Sequence, residues 1–337
     1  MTTMIDGKKR ACVTGGTGYM ASLLVKLLLE RGYAVNTTCR CPDNQKKMSH
    51  LLELQASFEE LRIFRADLTQ EGSFDTAVAG CDFVFHVATP MNFTSKDPEK
   101  DMIKPAVQGT LNVLRACAKS NTVKRVIYTS SLAASMGRIS GTGTVIDEGC
   151  WTDVELLASE KPPGWGYSVS KTLAEKAAWD FAKENNTDLI AILPPLIVGP
   201  SLTLEVSASF SSAMAFLTRN QFLINSMKNV QKLSGSRSIS HVEDVCQAHI
   251  FVAEKESVSG RYICCAVNIT FLELANYLNR RYPEYNVPTD FGDFFEKAKA
   301  IYSSEKLINE GFRFKYGIEE IYDQAVDYFK TKGLLPK

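Results

Sequence analysis

The sequence predicts an α/β protein, a doubly wound parallel sheet of the Rossmann type joined to a smaller, mostly helical substrate lobe. Three observations predict it. The glycine turn Thr14-Gly15-Gly16-Thr17-Gly18-Tyr19-Met20-Ala21 follows a short apolar run and opens a segment with helical spacing. Further short runs rich in β-branched and apolar residues alternate with helix-spaced segments, the order expected of parallel strands joined by crossover helices. One of these runs, Cys81 to Ala88, is almost continuously apolar, as strands buried on both faces are.

In chain order, Arg10 to Val13 reads as the first strand. Met20, Leu23, Leu24, Leu27 and Leu28 then mark the apolar face of a helix. Gly15 allows the sharp turn between them, Gly18 lets a pyrophosphate approach the backbone, and small Ala21 lets helix and strand pack closely. Such a turn aims backbone N–H groups and the positive end of the helix at an anion. Tyr33 to Cys39 is the second strand. Arg40, 25 residues after Gly15, stands where dinucleotide folds meet the adenosine ribose. An acid there binds the 2′-hydroxyl of NAD, whereas an arginine accommodates the 2′-phosphate of NADP. Lys46 and Lys47 add charge nearby, although a solvated basic loop accounts for these cations equally well on their own.

Leu61 to Leu68 reads as the third strand and delivers Asp67, whose carboxylate suits an adenine amino group. Cys81 to Ala88 brings His86-Val87-Ala88-Thr89-Pro90 to the carboxyl edge, where ligands bind in such sheets. Asp101 to Lys119 has helical spacing, with Pro105 bending or delaying its start. Val123 to Thr129 brings Ser130 and Ser131 to the same edge. Residues 137–166 carry eight glycines and prolines and read as one long irregular segment of functional type. Trp151 and Trp165 within it read as packing residues. Tyr167 to Lys183 is a helix, and Leu189 to Val198 a strand that must end or turn at Pro194 and Pro195.

The remainder reads as helix Val242 to Glu254, strand Arg261 to Ala266 and helix Leu272 to Arg281. A helix capped by Ser304 and ended by Gly311 follows, then a last helix near Ile318 to Lys330. The expected division is an NADP-binding domain over 8–200 and a substrate-binding lobe over 201–335, interleaved with the first.

The candidate chemistry lies at Tyr167 and Lys171. Four residues apart on one helix, they share a face about 6 Å apart along the axis. An ammonium beside a phenol favours the phenolate and lowers its pKa, which makes a usable acid and base near neutrality. Ser131 is placed to hold a substrate oxygen or orient the tyrosine. A Tyr-x-x-x-Lys pair alone is common on helix surfaces; the glycine turn and the serine-ended strand give it meaning.

Composition excludes other classes. The 337 residues are 45% hydrophobic and 23% charged, with 38 basic and 38 acidic side chains. No global field attracts nucleic acid or a membrane surface, and no apolar run is long enough to span a bilayer. Met1 to Lys9 lacks the apolar core of a secretory signal, and the C-terminus carries no retention address. Nine cysteines without a Cys-x-x-Cys pair read as reduced thiols of a cytoplasmic protein. His241 and His249 flank Glu243 and Asp244 at a spacing that does not converge, so capping or surface roles are expected and no metal. The absence of a Gly-x-Ser-x-Gly elbow sets hydrolysis aside.

With Thr14-Gly15-x-x-Gly18-x-x-Ala21, Ser131 and Tyr167-x-x-x-Lys171, the chain resembles the extended short-chain dehydrogenase/reductase family. Phe64-Arg65-Ala66-Asp67-Leu68-Thr69, Ser240-His241-Val242-Glu243-Asp244-Val245, Gly260-Arg261-Tyr262-Ile263-Cys264-Cys265 and Phe314-Lys315-Tyr316-Gly317-Ile318 resemble, within it, the anthocyanidin-reducing branch of the plant flavonoid reductases. The resemblance implies NADPH as cofactor and a flavonoid substrate, with an anthocyanidin such as cyanidin reduced to a flavan-3-ol such as epicatechin. It implies Ser131, Tyr167 and Lys171 as catalytic residues, with Lys171 also holding the nicotinamide ribose. It further implies a cofactor site of Thr14, Gly15, Thr17, Gly18, Tyr19, Arg40, Lys47, Asp67, Leu68, Val87, Ala88, Thr89, Tyr167, Lys171 and Pro194. Within that site Arg40 and Lys47 meet the 2′-phosphate, Asp67 and Leu68 face the adenine, and Val87 to Thr89 lie beside the ribose and nicotinamide.

Three positions depart from the family pattern. Cys41 replaces an acid after the arginine, Leu132 replaces an alanine after the serine pair, and Ser168-Val169 replaces Pro-Ala after the tyrosine. The last is closer to dihydroflavonol reductases. A dihydroflavonol or cinnamoyl-CoA-type carbonyl reductase is therefore the alternative enzyme, and a non-catalytic NADP-binding regulator the alternative of another class.

Overall fold

The computed structural model describes residues 7–91, 95–137, 141–294, 296 and 299–336. The first six residues of the N-terminal segment, residues 138–140 of the glycine- and proline-rich stretch, and Lys337 lie outside the described residues. The strands run β1 (Arg10–Val13), β2 (Ala34–Cys39), β3 (Leu61–Arg65), β4 (Phe83–His86), β5 (Arg125–Thr129), β6 (Thr144–Ile146), β7 (Leu189–Leu193), β8 (Leu196–Val198), β9 (Ile239–His241), β10 (Gly260–Ile263) and β11 (Ala300–Tyr302). The helices run α1 (Tyr19–Glu30), α2 (Gln45–Ser57), α3 (Asp75–Val78), α4 (Lys104–Ser120), α5 (Val154–Glu160), α6 (Trp165–Glu184), α7 (Ala208–Ala213), α8 (Gln221–Ser234), α9 (Val242–Glu254), α10 (Phe271–Arg281), α11 (Glu305–Asn309) and α12 (Ile318–Thr331).

Seven parallel strands form the central sheet in the order β10-β7-β5-β4-β1-β2-β3. The chain winds outward from β1 to β3, returns to β4 on the other side of β1, and winds outward again. That reversal opens a crevice at the carboxyl ends of β1 and β4. One face of the sheet is covered by α1, α2 and α9, whose Leu24, Leu28, Leu51, Val245 and Ile250 share a core with Val13, Val35 and Phe85. The opposite face is covered by α3, α4 and α6 through Ala77, Val113, Leu114 and Ala178. A separate core of Phe210, Phe216, Met227, Phe271, Leu278, Tyr322 and Phe329 holds the C-terminal lobe together.

Several elements differ from the sequence expectation, each for a local reason. Leu189 to Val198 is two strands. Pro194 and Pro195 cannot donate to a ladder, so β7 stays in the central sheet while β8 leaves to pair with β9. Residues 137–166 are not wholly irregular. β6 pairs with β11, and Asp153 starts α5 by accepting the Leu156 N–H at 3.0 Å, a cap that outweighs the nearby helix breakers. A π-helical turn over Glu99–Ile103 precedes α4, and Pro105 falls in its first turn, where its missing N–H costs no intrahelical bond. Ser304 sits at the start of α11 without capping it. Its hydroxyl is taken by the backbone of Cys265, accepting its N–H at 2.8 Å and donating to its carbonyl at 3.0 Å. The C-terminal half also supplies β10 and α9 to the central layers.

Candidate active site

The glycine turn is built by contacts on both sides of β1. Gly15 has φ +75°, and a Cβ there would lie 3.0 Å from the Cβ of Ala88. A Cβ on Gly16 would come within 2.2 Å of Thr37 Oγ1. Gly16 is thus the most tightly confined position in the turn, and no spacing rule singled it out. The Gly15 and Gly16 N–H groups are consumed internally by Thr38 Oγ1 at 3.1 Å and Thr38 O at 2.8 Å. The first helical bond runs from Ser22 N–H to Gly18 O. Tyr19, Met20 and Ala21 therefore keep N–H groups with no intrahelical acceptor, an arrangement suited to an anion at this end of α1. The Tyr19 hydroxyl donates to Gly199 O at 2.7 Å, and its ring stacks on Phe210 at 6.0 Å, tying the turn to the C-terminal lobe.

Thr14 fixes the neighbouring strand end. Its Oγ1 accepts the N–H groups of Val87 and Ala88 at 3.1 and 3.0 Å, so its own proton goes to His86 Nδ1, 3.1 Å away. His86 then carries its proton on Nε2 and donates to Thr110 Oγ1 at 3.3 Å. Burial and the charge of Lys171 hold this imidazole down to about 3, so it is neutral, as the geometry requires. Thr89 follows at the same edge, partly buried.

A cavity of about 580 Å³ adjoins the turn. Thr17, Tyr19, Arg40, Lys46, Lys47 and Asp67 line one wall, and the segment Thr203 to Ala208 lines the other. Arg40 and Lys47 are exposed at its rim. Asp67 Oδ1 accepts from both the Thr69 N–H and hydroxyl at 2.8 Å, and these bonds lower its pKa, with Arg40 assisting. The Leu68 side chain lies against α4, where a Cβ on Gly109 would sit 2.7 Å from the Leu68 Cβ. Its carbonyl accepts from Asn112 at 2.8 Å. The basic rim, the glycine cradle and the open helix end together fit a dinucleotide carrying a ribose phosphate.

Ser131, Tyr167 and Lys171 meet at the carboxyl ends of β5 and β7. Ser131 Oγ accepts the Ala133 N–H at 3.2 Å and is hydrogen-bonded to the Tyr167 phenol. Pro194 O accepts the Leu132 N–H at 3.0 Å, fixing the serine between two strand ends. Lys171 is 3% exposed, donates to Thr129 O at 2.9 Å and lies 5.6 Å above the Tyr128 ring. The expected depression of the Tyr167 pKa by Lys171 is overturned. Burial raises the phenol, and the bond to Ser131 offsets part of that rise. The ammonium is turned toward the strand end, and burial brings its own pKa down to about 8 against the upward pull of Glu175.

Behind this trio stands a group that sequence reasoning missed. Glu175, fully buried, accepts Arg261 Nε at 2.7 Å, Ser130 Oγ at 2.5 Å and Trp179 Nε1 at 3.2 Å. Arg261 also donates to the carbonyls of Glu148 and Cys150 at 2.7 Å and stacks 3.7 Å over Trp151. Glu175 follows Tyr167 and Lys171 on the same stripe of α6, four residues further on, so a signal existed; its partner 86 residues away left none.

The three departures from the family pattern fall away from the reacting groups or at the rim. Leu132 is buried in the core with Val126 and Tyr128. Ser168 is buried, and Val169 lines a larger cavity of about 770 Å³ together with Trp165 and Leu173. Positions two residues apart on a helix point roughly 200° apart, so that cavity opens on the far side of α6 from Tyr167 and Lys171. Cys41 is exposed in the wall of the cofactor cavity. His241 caps α9, accepting the Glu243 N–H at 3.2 Å, and is buried rather than on the surface. His249 donates from Nδ1 to Val245 O at 2.7 Å and accepts from Thr129 at 2.9 Å. Among the described residues no three metal-binding side chains converge, and no helix is long and apolar enough to cross a membrane.

Comparison with known proteins agrees with this geometry. A family model described as the NAD dependent epimerase/dehydratase family matches residues 11–269. The chain is 67% identical over 98% of its length to an anthocyanidin reductase ((2S)-flavan-3-ol-forming) of Vitis vinifera, covering 97% of that protein. It is 56% identical to anthocyanidin reductase of Arabidopsis thaliana over 98% of this chain and 97% of that one. Identity to dihydroflavonol 4-reductase of the same plant is 46%, over 99% of this chain and 85% of that one. Among solved structures, vestitone reductase from alfalfa superposes with a TM-score of 0.80 at 37% identity, covering 97% of this chain and 100% of that one. A Candida albicans Gre2 solved in complex with NADPH also gives 0.80, at 28% identity, over 96% and 99%. The chain belongs to the NAD dependent epimerase/dehydratase family, in the branch of the extended short-chain dehydrogenases/reductases that contains the plant anthocyanidin and dihydroflavonol reductases.

Proposed function

We propose that this chain is an NADPH-dependent reductase that converts anthocyanidins such as cyanidin into flavan-3-ols such as epicatechin. The observation that carries the reading is the cluster of partly buried Ser131 and Tyr167 with buried Lys171 at the sheet edge that also holds the glycine turn. The identity of 67% to an anthocyanidin reductase over nearly the whole chain supports the substrate class.

NADPH, when bound, supplies hydride. The open helix end after Gly18 takes its pyrophosphate, Arg40 and Lys47 take its 2′-phosphate, and Asp67 and Leu68 flank its adenine. Val87 to Thr89 and Pro194 border its nicotinamide end, and Lys171 holds the ribose there. A flavylium cation becomes a neutral flavan-3-ol by gaining two hydrides and one proton, so each product consumes two reduced cofactors. Tyr167 is the proton source for the phenolic or enolic oxygen, and Ser131 positions that oxygen and the phenol together. A raised phenol pKa keeps Tyr167 protonated, and so able to donate, at neutral pH. A cytosolic site accompanies this reading, since the cysteines among the described residues are free thiols.

Incubating the protein with NADPH and either cyanidin or dihydroquercetin, with product identification, tests the reading. Conversion of cyanidin to a flavan-3-ol is expected. Exclusive conversion of dihydroquercetin would transfer the protein to the dihydroflavonol reductases, a reading supported by the 46% identity to one of them.

A further inference from the structure

His50 is 6% exposed, yet it belongs neither to the catalytic edge nor to the lining of the cofactor cavity. It lies on α2 three residues after Lys47, so the two side chains share a helix face. Its Nε2 is 3.4 Å from Gly16 O. A carbonyl oxygen only accepts, so Nε2 carries the proton and donates. Burial lowers the imidazole from its ordinary value, which leaves the ring neutral at neutral pH with its one proton on that nitrogen. An apolar side chain would fill this site without the cost of desolvating an imidazole. What the histidine adds is the bond to Gly16.

That bond completes a clamp on Gly16. Its N–H donates to Thr38 O at 2.8 Å on the β2 side. A Cβ there would meet Thr37 Oγ1 at 2.2 Å, so the residue has no room to move toward that strand. His50 then holds the carbonyl from α2. A peptide unit is planar and trans, so its C=O and the N–H that follows point in opposite directions. Fixing Gly16 O against His50 therefore turns the Thr17 N–H away from His50, toward the cavity that Thr17 lines. Among the described residues this N–H has no hydrogen-bond acceptor. It joins the open N–H groups of Tyr19, Met20 and Ala21 as a donor for an anion.

We propose that His50 is a positioning residue for the pyrophosphate of the cofactor, holding the Gly16 carbonyl so that the Thr17 N–H faces a phosphate oxygen. The proposal rests on the reading of the chain as an NADPH-dependent reductase whose glycine turn takes the pyrophosphate. Without the imidazole the peptide between Gly16 and Thr17 is free to rotate, and its carbonyl dipole then repels the phosphate it should attract. The pyrophosphate is common to NADPH and NADH and takes no part in hydride transfer. The effect therefore falls on nucleotide affinity, equally for both nucleotides, and leaves the chemical step alone.

The test titrates the full chain with NADPH, NADH and 2′-AMP, which carries the ribose phosphate but no pyrophosphate. His50→Leu should weaken NADPH and NADH by one common factor, about threefold to tenfold, and leave 2′-AMP within about twofold. KM for NADPH should rise by the same factor, with kcat for cyanidin unchanged at saturating cofactor. His50→Gln, whose amide nitrogen takes the place of Nε2, should return every value to within about twofold of wild type. Unchanged nucleotide affinities in His50→Leu would overturn the role, as would a His50→Gln as weak as His50→Leu. A loss for 2′-AMP equal to that for NADPH would also overturn it, since the whole of α2 would then have loosened. Wild type that binds both nucleotides but reduces no cyanidin would overturn the proposed function, while the titrations still decide His50. Should His50→Leu not fold, ¹⁵N NMR of the wild-type ring decides, its signal assigned by absence from His50→Gln. The Nε2–H tautomer is expected; an Nδ1–H tautomer, unable to donate to Gly16 O, would overturn the proposal.

Discussion

The guanidinium of Arg261 meets the carboxylate of Glu175 at 2.7 Å, with the two side chains 7% and 0% exposed. One end of this pair holds Ser130, beside the candidate catalytic serine, and the other holds the carbonyls of Glu148 and Cys150. Replacing Arg261 by Met strands a buried carboxylate and should cost about 3–5 kcal/mol of stability. Denaturant unfolding of the two proteins checks this; a loss below about 1 kcal/mol would make the pair energetically incidental.

Tyr167→Phe removes the proposed proton donor while leaving the Lys171 bond to Thr129 in place. Turnover should fall by roughly 10²–10⁴, with NADPH affinity little changed. An unaltered kcat for cyanidin reduction would remove Tyr167 from the chemistry.

Lys171 loses its proton near pH 8 because burial outweighs the attraction of Glu175. The ammonium form is therefore present below that pH and lost above it, and kcat/KM should decline on the alkaline side. Glu175→Gln withdraws the charge that raises this pKa, so the break should move to lower pH. A profile whose alkaline break is identical in the two proteins would separate Glu175 from the lysine.

Arg40 stands exposed at the rim of the cofactor cavity. Arg40→Ala should weaken NADPH by roughly 10–100-fold, the range for a hydrogen bond to a charged group, and leave NADH nearly unchanged. Equal weakening of both nucleotides, measured by titration, would deny it the 2′-phosphate.

Burial holds His86, His241 and His249 down to about 3, 4 and 4. Unfolded, each takes a proton near the ordinary 6.5, so between about pH 4 and 6.5 the unfolded chain binds more protons. The stability that the neutral rings confer is complete above pH 6.5 and is lost on acidification through that window, at up to about 1.4 kcal/mol per pH unit for each. Tm should drop steeply from pH 6.5 to 5, and His249→Gln, which keeps a donor and an acceptor, should shallow the dependence by about one proton. An unchanged slope in that variant would return His249 to an ordinary pKa.

The legible parts of the chain were those with a local signature. The strand, glycine turn and helix at Arg10 to Glu30 follow from three adjacent patterns, and the six strands read in the first two hundred residues are each runs of apolar or β-branched residues. The strands β6, β8, β9 and β11 have three residues each, too few to show a period. α5 hides among glycines and prolines because a single aspartate cap decides it. The phenol of Tyr167 was assigned the wrong direction of shift because helical spacing gives proximity to Lys171 but not burial or the direction in which the ammonium points.

By itself the sequence determined the parallel sheet, the phosphate turn and the candidate Ser131, Tyr167 and Lys171, because period-2 and period-3.6 patterns and short-range spacing are properties of neighbouring residues. Only the tertiary structure decided that Gly16 must lack a side chain, that burial brings Lys171 down to about 8, that Glu175 is paired with Arg261, and that Arg237 is buried with no carboxylate partner among the described residues. Each of these depends on desolvation or on contact between elements far apart in the chain, and both are set by how the layers pack rather than by any residue's neighbours in sequence.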